Sequence, residues 1–403
     1  MPKHAKRILM YSHDTFGLGH LRRCRAIAHH LVDRDPSVSV LILTGSPIIG
    51  SFSFRPHVDF VRIPGVIKLH HGDYSPLSLP MDFEDVLSMR ASIIQHTARS
   101  FDPDILIVDK EPLGLRGEMV DTLKMLKERD CTLVLGLRDV MDDPQKLRDE
   151  WDRKNVTWAL RDIYDQIWAY GVREIWDPLN DTGLPQEVRD KVQFTGYLRR
   201  EIPKVERPEV LSPDYKSDPY VLVTTGGGGD GEDVVDWVIS AYEQDSTLDQ
   251  SAIIVFGPFM AQAKRAEFSQ RIDKIKFIRS LTFESQMETL FNNAIGVVSM
   301  GGYNSFCEAL SFDKPTVIIP RTQPRLEQYI RASQAQNLGL VKMLDDRDGR
   351  DPAIMAQVLK NLGQCAKPSD VQMPEILNGL EKINELVGDV FRKTDTLMKV
   401  AGR

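Results

Sequence analysis

Two series of short apolar runs, separated by stretches of helical periodicity, leave this 403-residue chain few folds to adopt. The first series falls at 7–12, 38–43, 58–63, 104–109, 132–137, 166–170 and 192–195. The second falls at 220–225, 252–256, 276–279, 295–299, 316–319 and 339–343. The runs are nearly all apolar rather than alternating, which marks strands buried on both faces. Strands that alternate with helices form parallel sheets wrapped by those helices. Between the two series, residues 197–219 carry Pro203, Pro208, Pro213 and Pro219 among charges and show no periodicity, the composition of a linker. The expected fold class is α/β: two doubly wound, Rossmann-like parallel-sheet domains facing across a cleft at the carboxyl ends of their strands. The expected bounds are 1–200, a linker over 201–219, a second domain over 220–372, and an amphipathic helix within 373–403. Residues 144–190 are expected to supply later helices of the first domain.

The polar residues that follow these strands suggest anion chemistry. Run 295–299 ends in Met300-Gly301-Gly302, and Tyr303-Asn304-Ser305-Phe306-Cys307-Glu308 then opens a helix. Glycines between a strand and a helix let the backbone approach a phosphate, and the helix N–H groups and dipole attract its charge. Glu308 lies one turn in, where a carboxylate could reach a ribose diol. Run 220–225 leads into Gly226, Gly227, Gly228 and Gly229, a loop that must approach something closely or move. It lacks the Lys-Ser/Thr of a Walker A loop. Run 316–319 ends in Pro320-Arg321, with Glu327-Gln328 beyond. A cation at Arg321, or alternatively at Arg325, could stabilise a leaving diphosphate.

In the first half, run 7–12 leads through Gly17-Leu18-Gly19-His20 into a helix expected over 20–32. At that helix start the dipole disfavours an imidazolium, leaving His20 neutral and able to act as a base. All nine histidines lie between His4 and His96, so histidine acid–base work must come from the first domain. Asp109 and Glu111 follow a strand and are candidates for a base or for holding His20. Arg138 and Asp139 follow the next and are candidates for acceptor recognition. Asp142 and Asp143 before Pro144 are read as helix caps. His29 and His30 are read as surface or interface residues. Phe283 is read as core.

Segment 295–328 closely resembles the donor-nucleotide half of GT-B glycosyltransferases, in particular family 28, the group of the lipid-II-forming N-acetylglucosaminyltransferase. Loop 17–20 resembles the same family. With Arg23 and Cys24 it is also similar to the nucleotide-sugar hydrolase of pseudaminic acid synthesis. The resemblance implies that Gly301, Gly302, Asn304 and Ser305 face a diphosphate and that Glu308 holds the ribose. Glu327 and Gln328 would approach the donor sugar, with Gly17, Gly19 and Gly226 to Gly228 near the donor phosphates. It also implies a final helix that crosses back to the first domain. The implied activity is inverting, metal-independent transfer from a nucleotide diphospho-sugar to an acceptor hydroxyl. UDP is the best guess for the nucleotide, with dTDP and GDP open, and the acceptor is a small molecule, a glycan or a lipid. A hydrolase or epimerase on the same fold is the alternative, and a non-catalytic nucleotide-sugar binder is a reading of a different class. The nucleotide sugar is a co-substrate, and no cofactor is expected.

Composition narrows the partners. A net charge of −7 argues against a broad nucleic-acid surface. Cys24, Cys131, Cys307 and Cys365 have no CxxC spacing and are read as reduced thiols. No apolar run suits a membrane span and no signal h-region opens the chain, so a cytoplasmic location is expected. Peripheral membrane contact with a lipid acceptor remains open. Trp151, Trp158, Trp168 and Trp176 fit either an acceptor face or a core helix. The Asp-x-Asp triplets at 33–35, 102–104 and 346–348 are read as solvated turns. His70-His71 lacks metal-ligand partners, and no metal is expected.

Overall fold

The protein is described here from a computed structural model, which covers residues 6–14, 19–68, 73–202, 219–345 and 349–400. The chain divides into two units, one of Met1–Leu198 with Asn378–Arg403 and one of Arg199–Leu377.

The first unit is built on strands β1 (Lys6–Ser12), β2 (Val38–Thr44), β3 (Val58–Arg62), β6 (Ile105–Asp109), β7 (Thr132–Arg138), β8 (Gln166–Tyr170) and β9 (Val192–Phe194), with a separate hairpin of β4 (Val66–Lys68) and β5 (Tyr74–Pro76). The seven-stranded sheet runs β3-β2-β1-β6-β7-β8-β9 and every pair in it is parallel. Its central strands are buried on both faces, as their unbroken apolar runs require: all five residues of β6 are buried. The order reverses at β1, which pairs with β2 on one side and β6 on the other. The carboxyl ends of those strands flank a switch point, where ligands of such sheets bind.

Helices α1 (Gly19–Arg34), α2 (Phe83–Phe101), α3 (Val120–Lys127), α4 (Pro144–Arg153) and the short α5 (Gln186–Arg189) complete this part of the unit. Helix α1 buries Leu21, Arg23, Cys24, Ile27, Ala28, Leu31 and Val32, a helical stripe. Helix α4 starts as expected, with Asp143 accepting from the amides of Gln145 and Lys146 and Pro144 in the first turn. The rest of 144–190 departs from expectation. It is a single π turn at Ala159–Ile163, β8, the one-turn α5 and irregular chain, because Trp151 and Trp168 fill the core between short pieces rather than lining one helix face.

The second unit is built the same way. Its strands are β10 (Tyr220–Thr224), β11 (Ser251–Val255), β12 (Ile278–Leu281), β13 (Ala294–Ser299), β14 (Thr316–Ile318) and β15 (Lys342–Met343). They form a parallel six-stranded sheet in the order β12-β11-β10-β13-β14-β15. Strand β15 is shorter than the expected 339–343 because Gly339 turns the chain at φ 80°. The helices are α6 (Glu232–Gln244), α7 (Gln262–Ile272), α8 (Met287–Asn293), α9 (Tyr303–Ser311), α10 (Glu327–Asn337) and α11 (Pro352–Asn361). Strand β10 pairs with both β11 and β13, so this sheet also has its switch point between the two glycine loops. Phe283 is partly exposed in a loop ahead of α8 and is not in the core.

The final helix α12 (Gly379–Val400) belongs to the first unit. Glu381 on α12 pairs with Arg34 and, at 3.6 Å, with His30. His30 therefore serves a helix–helix contact within the first unit, and His29 packs edge-on against Phe54. No helix among the described residues is long and apolar enough to cross a membrane.

Candidate active site

At the switch point of the first unit, β6 delivers Asp109 and the start of α1 delivers His20 and Arg23. His20 and Arg23 are three residues apart and so share one helix face. Arg23 grips Asp109 with both arms of its guanidinium, Nε to Oδ1 at 2.8 Å and Nη2 to Oδ2 at 2.6 Å. Nδ1 of His20 lies against Oδ2 of the same carboxylate. Arg23 and Asp109 are each 1% exposed, whereas the His20 side chain keeps 14% of its surface open.

Protonation follows from this geometry. Burial opposes ionisation of Asp109, but Arg23 and His20 outweigh it and hold the carboxyl well below its usual range. An ionised carboxylate only accepts hydrogen bonds, so the imidazole proton sits on Nδ1 and the Nε2 lone pair is the free basic site. Burial lowers the pKa of His20 from 6.5 to about 4. Asp109 pulls it up, while Arg23 and Lys110 push it down with burial.

Three further groups line this end of the sheet. Asp14 accepts from the Leu21 amide in the first turn of α1 and from the Thr44 hydroxyl. Burial raises its pKa to about 6. The His13 ring meets His20 edge-on, with centroids 5.8 Å apart. Glu111, a sequence candidate for base or orienter, is instead paired with Lys154 at 2.7 Å and Lys110 at 3.7 Å. Burial opposes its ionisation, yet Lys110, His13 and Lys154 hold it strongly anionic. Asp139, a candidate for acceptor recognition, is wholly buried and accepts from the Tyr197 hydroxyl at 2.7 Å. That bond ties β7 to the end of the first segment and gives Asp139 a structural position. Arg138 is partly exposed at the end of β7. Gly19 opens α1, while Gly17, His70 and His71 lie outside the described residues.

In the second unit the glycines divide by what surrounds them. A Cβ at Gly228 would sit 2.2 Å from the Phe256 carbonyl, and one at Gly301 2.6 Å from Ile318, so packing alone demands glycine at both. Gly226 faces open space, and a Cβ at Gly302 would meet the Ser305 hydroxyl at 3.6 Å, an ordinary contact. Gly227 accepts from the Phe259 amide, which fastens the loop to the end of β11. Gly302 is the N-cap of α9 and offers no side-chain cap, and Ser305 turns its hydroxyl back to the Gly302 carbonyl. Gly302 itself supplies no side-chain cap at the start of α9. Glu308 is 1% exposed on the same helix.

Arg321 stands at this site, but its charge is already countered. It reaches Asp230 of the glycine loop at 2.9 Å and Glu327 at 2.6 Å, and its backbone amide donates to Gln328 Oε1 at 3.1 Å. Glu327 and Gln328 are correspondingly buried. Arg331, which nothing in the sequence singles out, is 0% exposed and donates to the Gly301 carbonyl at 2.8 Å, fixing the glycine turn from below. Among the described residues no group of three His, Cys, Asp or Glu side chains could hold a metal ion.

Comparison with known proteins bears on the fold. Residues 221–386 match the glycosyltransferase family 28 C-terminal domain. An uncharacterized glycosyltransferase of Methanosarcina mazei is 21% identical over 390 residues, covering 92% of this chain and 95% of that protein. Phytolacca americana UGT2, solved with UDP-2fluoro-glucose and pterostilbene, is 14% identical and has a TM-score of 0.58 over 99% of both chains. MurG of Acinetobacter baumannii is 11% identical with a TM-score of 0.57 over 95% of this chain and 99% of its own. These likenesses establish the GT-B fold.

Proposed function

We propose that this GT-B glycosyltransferase, whose second unit carries a family 28 C-terminal domain, moves a sugar from a nucleotide diphospho-sugar to an acceptor hydroxyl with inversion and without a metal. The observation that carries the reading is the His20–Asp109–Arg23 cluster, a neutral imidazole with its basic nitrogen open and its other nitrogen held by a buried carboxylate. In the step itself the acceptor oxygen forms a bond to the anomeric carbon as the bond from that carbon to the diphosphate oxygen breaks. The electron pair leaves with the diphosphate, and the hydroxyl proton passes to Nε2 of His20. Attack from the face opposite the leaving group inverts the centre. UDP is the favoured nucleotide, in keeping with the UDP sugar bound by the Phytolacca protein.

The second unit supplies the donor seat in this reading, with the α9 amides at the diphosphate and Glu308 at the ribose. Calorimetric titration of UDP, dTDP and GDP into the protein with EDTA present tests it. One nucleotide is expected to bind, and Glu308→Ala is expected to weaken it about 10- to 100-fold, the effect of losing a hydrogen bond to a charged group. Absence of binding by all three would remove the donor assignment. Water in the acceptor's place would give a hydrolase, a reading favoured by the Gly19-His20 loop with Arg23 beside it. Free sugar rather than glycosylated acceptor in a single turnover would decide for it.

A further inference from the structure

His20 has a second imidazole beside it at the carboxyl end of the first sheet. His13 follows β1 directly, is 5% exposed, and meets His20 edge-on with centroids 5.8 Å apart. Its Nδ1 lies 3.4 Å from the Tyr11 hydroxyl oxygen. Tyr11 donates its one proton to Glu118 at 2.6 Å, and its oxygen accepts from the Leu115 amide at 3.2 Å. Glu118 accepts from both arms of Arg90 as well. With the Tyr11 proton committed to Glu118, the bond to His13 must be donated by the imidazole Nδ1–H. Burial holds the His13 ring neutral against the pull of Glu111, and Lys110, His20 and Lys154 act in the same direction as burial. A neutral ring with its proton on Nδ1 carries a lone pair on Nε2. None of the described residues donates to that nitrogen. His20 is arranged alike, with Nδ1 held by Asp109 and Nε2 open.

We propose that His13 is a positioning residue for the acceptor: its Nε2 takes a hydrogen bond from a second hydroxyl next to the one that His20 deprotonates, so the acceptor is a polyhydroxylated molecule of the saccharide class. The bond to Tyr11 fixes the tautomer of His13, as Asp109 fixes that of His20. The two rings then offer a pair of hydrogen-bond acceptors. One takes a proton as the new glycosidic bond forms, and the other holds the neighbouring hydroxyl throughout. A molecule with a single hydroxyl satisfies one nitrogen and leaves the other without a donor, and that difference is what selects. Packing does not ask for histidine at this place, since a phenylalanine ring would fill the same space with no polar atom to satisfy.

The inference rests on the transfer reading above, and one arm of its test needs no donor. The histidine nitrogens of the full-length protein are isotope-labelled and followed by NMR, with His13→Phe identifying the His13 signals. Two probes that differ by one hydroxyl are added in turn, the trans vicinal diol of cyclohexane and cyclohexanol. The spectra of the free protein should show the His13 proton on Nδ1. The diol is expected to move the Nε2 signals of His13 and His20 together, and cyclohexanol to bind about tenfold more weakly, the scale of one hydrogen bond. With the donor that turns over, the parent should favour the diol about tenfold in kcat/KM, through KM rather than kcat. His13→Phe should bring that ratio to about one, and His13→Gln, which keeps a side-chain acceptor, should restore part of it. A purely structural His13 would slow both alcohols alike and keep the ratio. A proton on Nε2 of free His13, a diol that leaves the His13 signal in place, equal use of the two alcohols by the parent, or a ratio unchanged in His13→Phe would overturn the proposal. Free sugar as the sole product in the presence of the diol would do the same. Movement of His13 by the diol in a protein that turns over no nucleotide sugar would leave the hydroxyl seat standing and remove the transfer reading. Transfer to both alcohols with equal preference would leave the transfer reading standing without His13.

Discussion

His20→Ala is expected to lower kcat by about 10²- to 10⁴-fold, the range for removing a positioned general base, while nucleotide affinity stays unchanged. The split follows from where the residue sits. His20 lies in the first unit, whereas the proposed donor groups belong to the second. The pH profile carries the same information. The base works only when Nε2 is unprotonated, so kcat/KM should be flat at neutral pH. It should fall tenfold per pH unit once the pH drops below the free enzyme's pKa of about 4. An ordinary histidine near 6.5 would start to lose activity at far higher pH. Full turnover in His20→Ala, or a limb near pH 6.5, would remove His20 from this role.

Glu118→Ala is expected to destabilise the first unit by about 3–5 kcal/mol, the cost of leaving a buried charge without its partner. The side chains of Arg90 and Glu118 are 2% and 0% exposed. Arg90 donates to both carboxylate oxygens, Nε at 2.7 Å and Nη2 at 2.6 Å, and the Tyr11 hydroxyl adds a bond of 2.6 Å. Truncation strands the Arg90 guanidinium, whose remaining arm donates to the Pro64 carbonyl. In urea the transition of the first unit should move to lower concentration while that of the second stays in place. Replacing both partners, Glu118→Leu with Arg90→Met, should recover much of the loss, because it removes the buried charge together with its partner. A single-variant loss below about 1 kcal/mol would mean that water enters and solvates Arg90.

The main-chain architecture was legible because doubly buried strands announce themselves as unbroken apolar runs, and each run expected overlaps a strand, though β12 (Ile278–Leu281) lies two residues later than 276–279. The hairpin of β4 and β5 was not, because three-residue strands show too little pattern to register. Candidate positions were visible where they lie next to a strand end, as at Gly19-His20, Asp109 and Gly301-Gly302. Pairings between side chains far apart in sequence were not. Arg23 and Asp109 are 86 residues apart, and Tyr11 and Glu118 are 107 apart. Spacing could have hinted that Arg23 joins His20, since both lie on one face of α1. Arg331 sits in a helix interior where an arginine is ordinarily solvated. Asp139 erred in the other direction: a strand-end carboxylate looks available until Tyr197 is seen to claim it.

The final helix carries a consequence for how the chain is made. Leu198 bridges to Asn378, and the Gly379 amide donates to the Tyr197 carbonyl, so the two segments of the first unit rejoin where the second begins and ends. The sequence is therefore a split domain with another inserted into it. Domains of an ordinary tandem protein fold in the order of their synthesis. Here the ribosome must finish the inserted domain before it supplies the last helix of the domain it began with. The unit that carries His20 is thus completed after the inserted one, and a chain cut before α12 leaves the second unit finished while the first still lacks its closing helix.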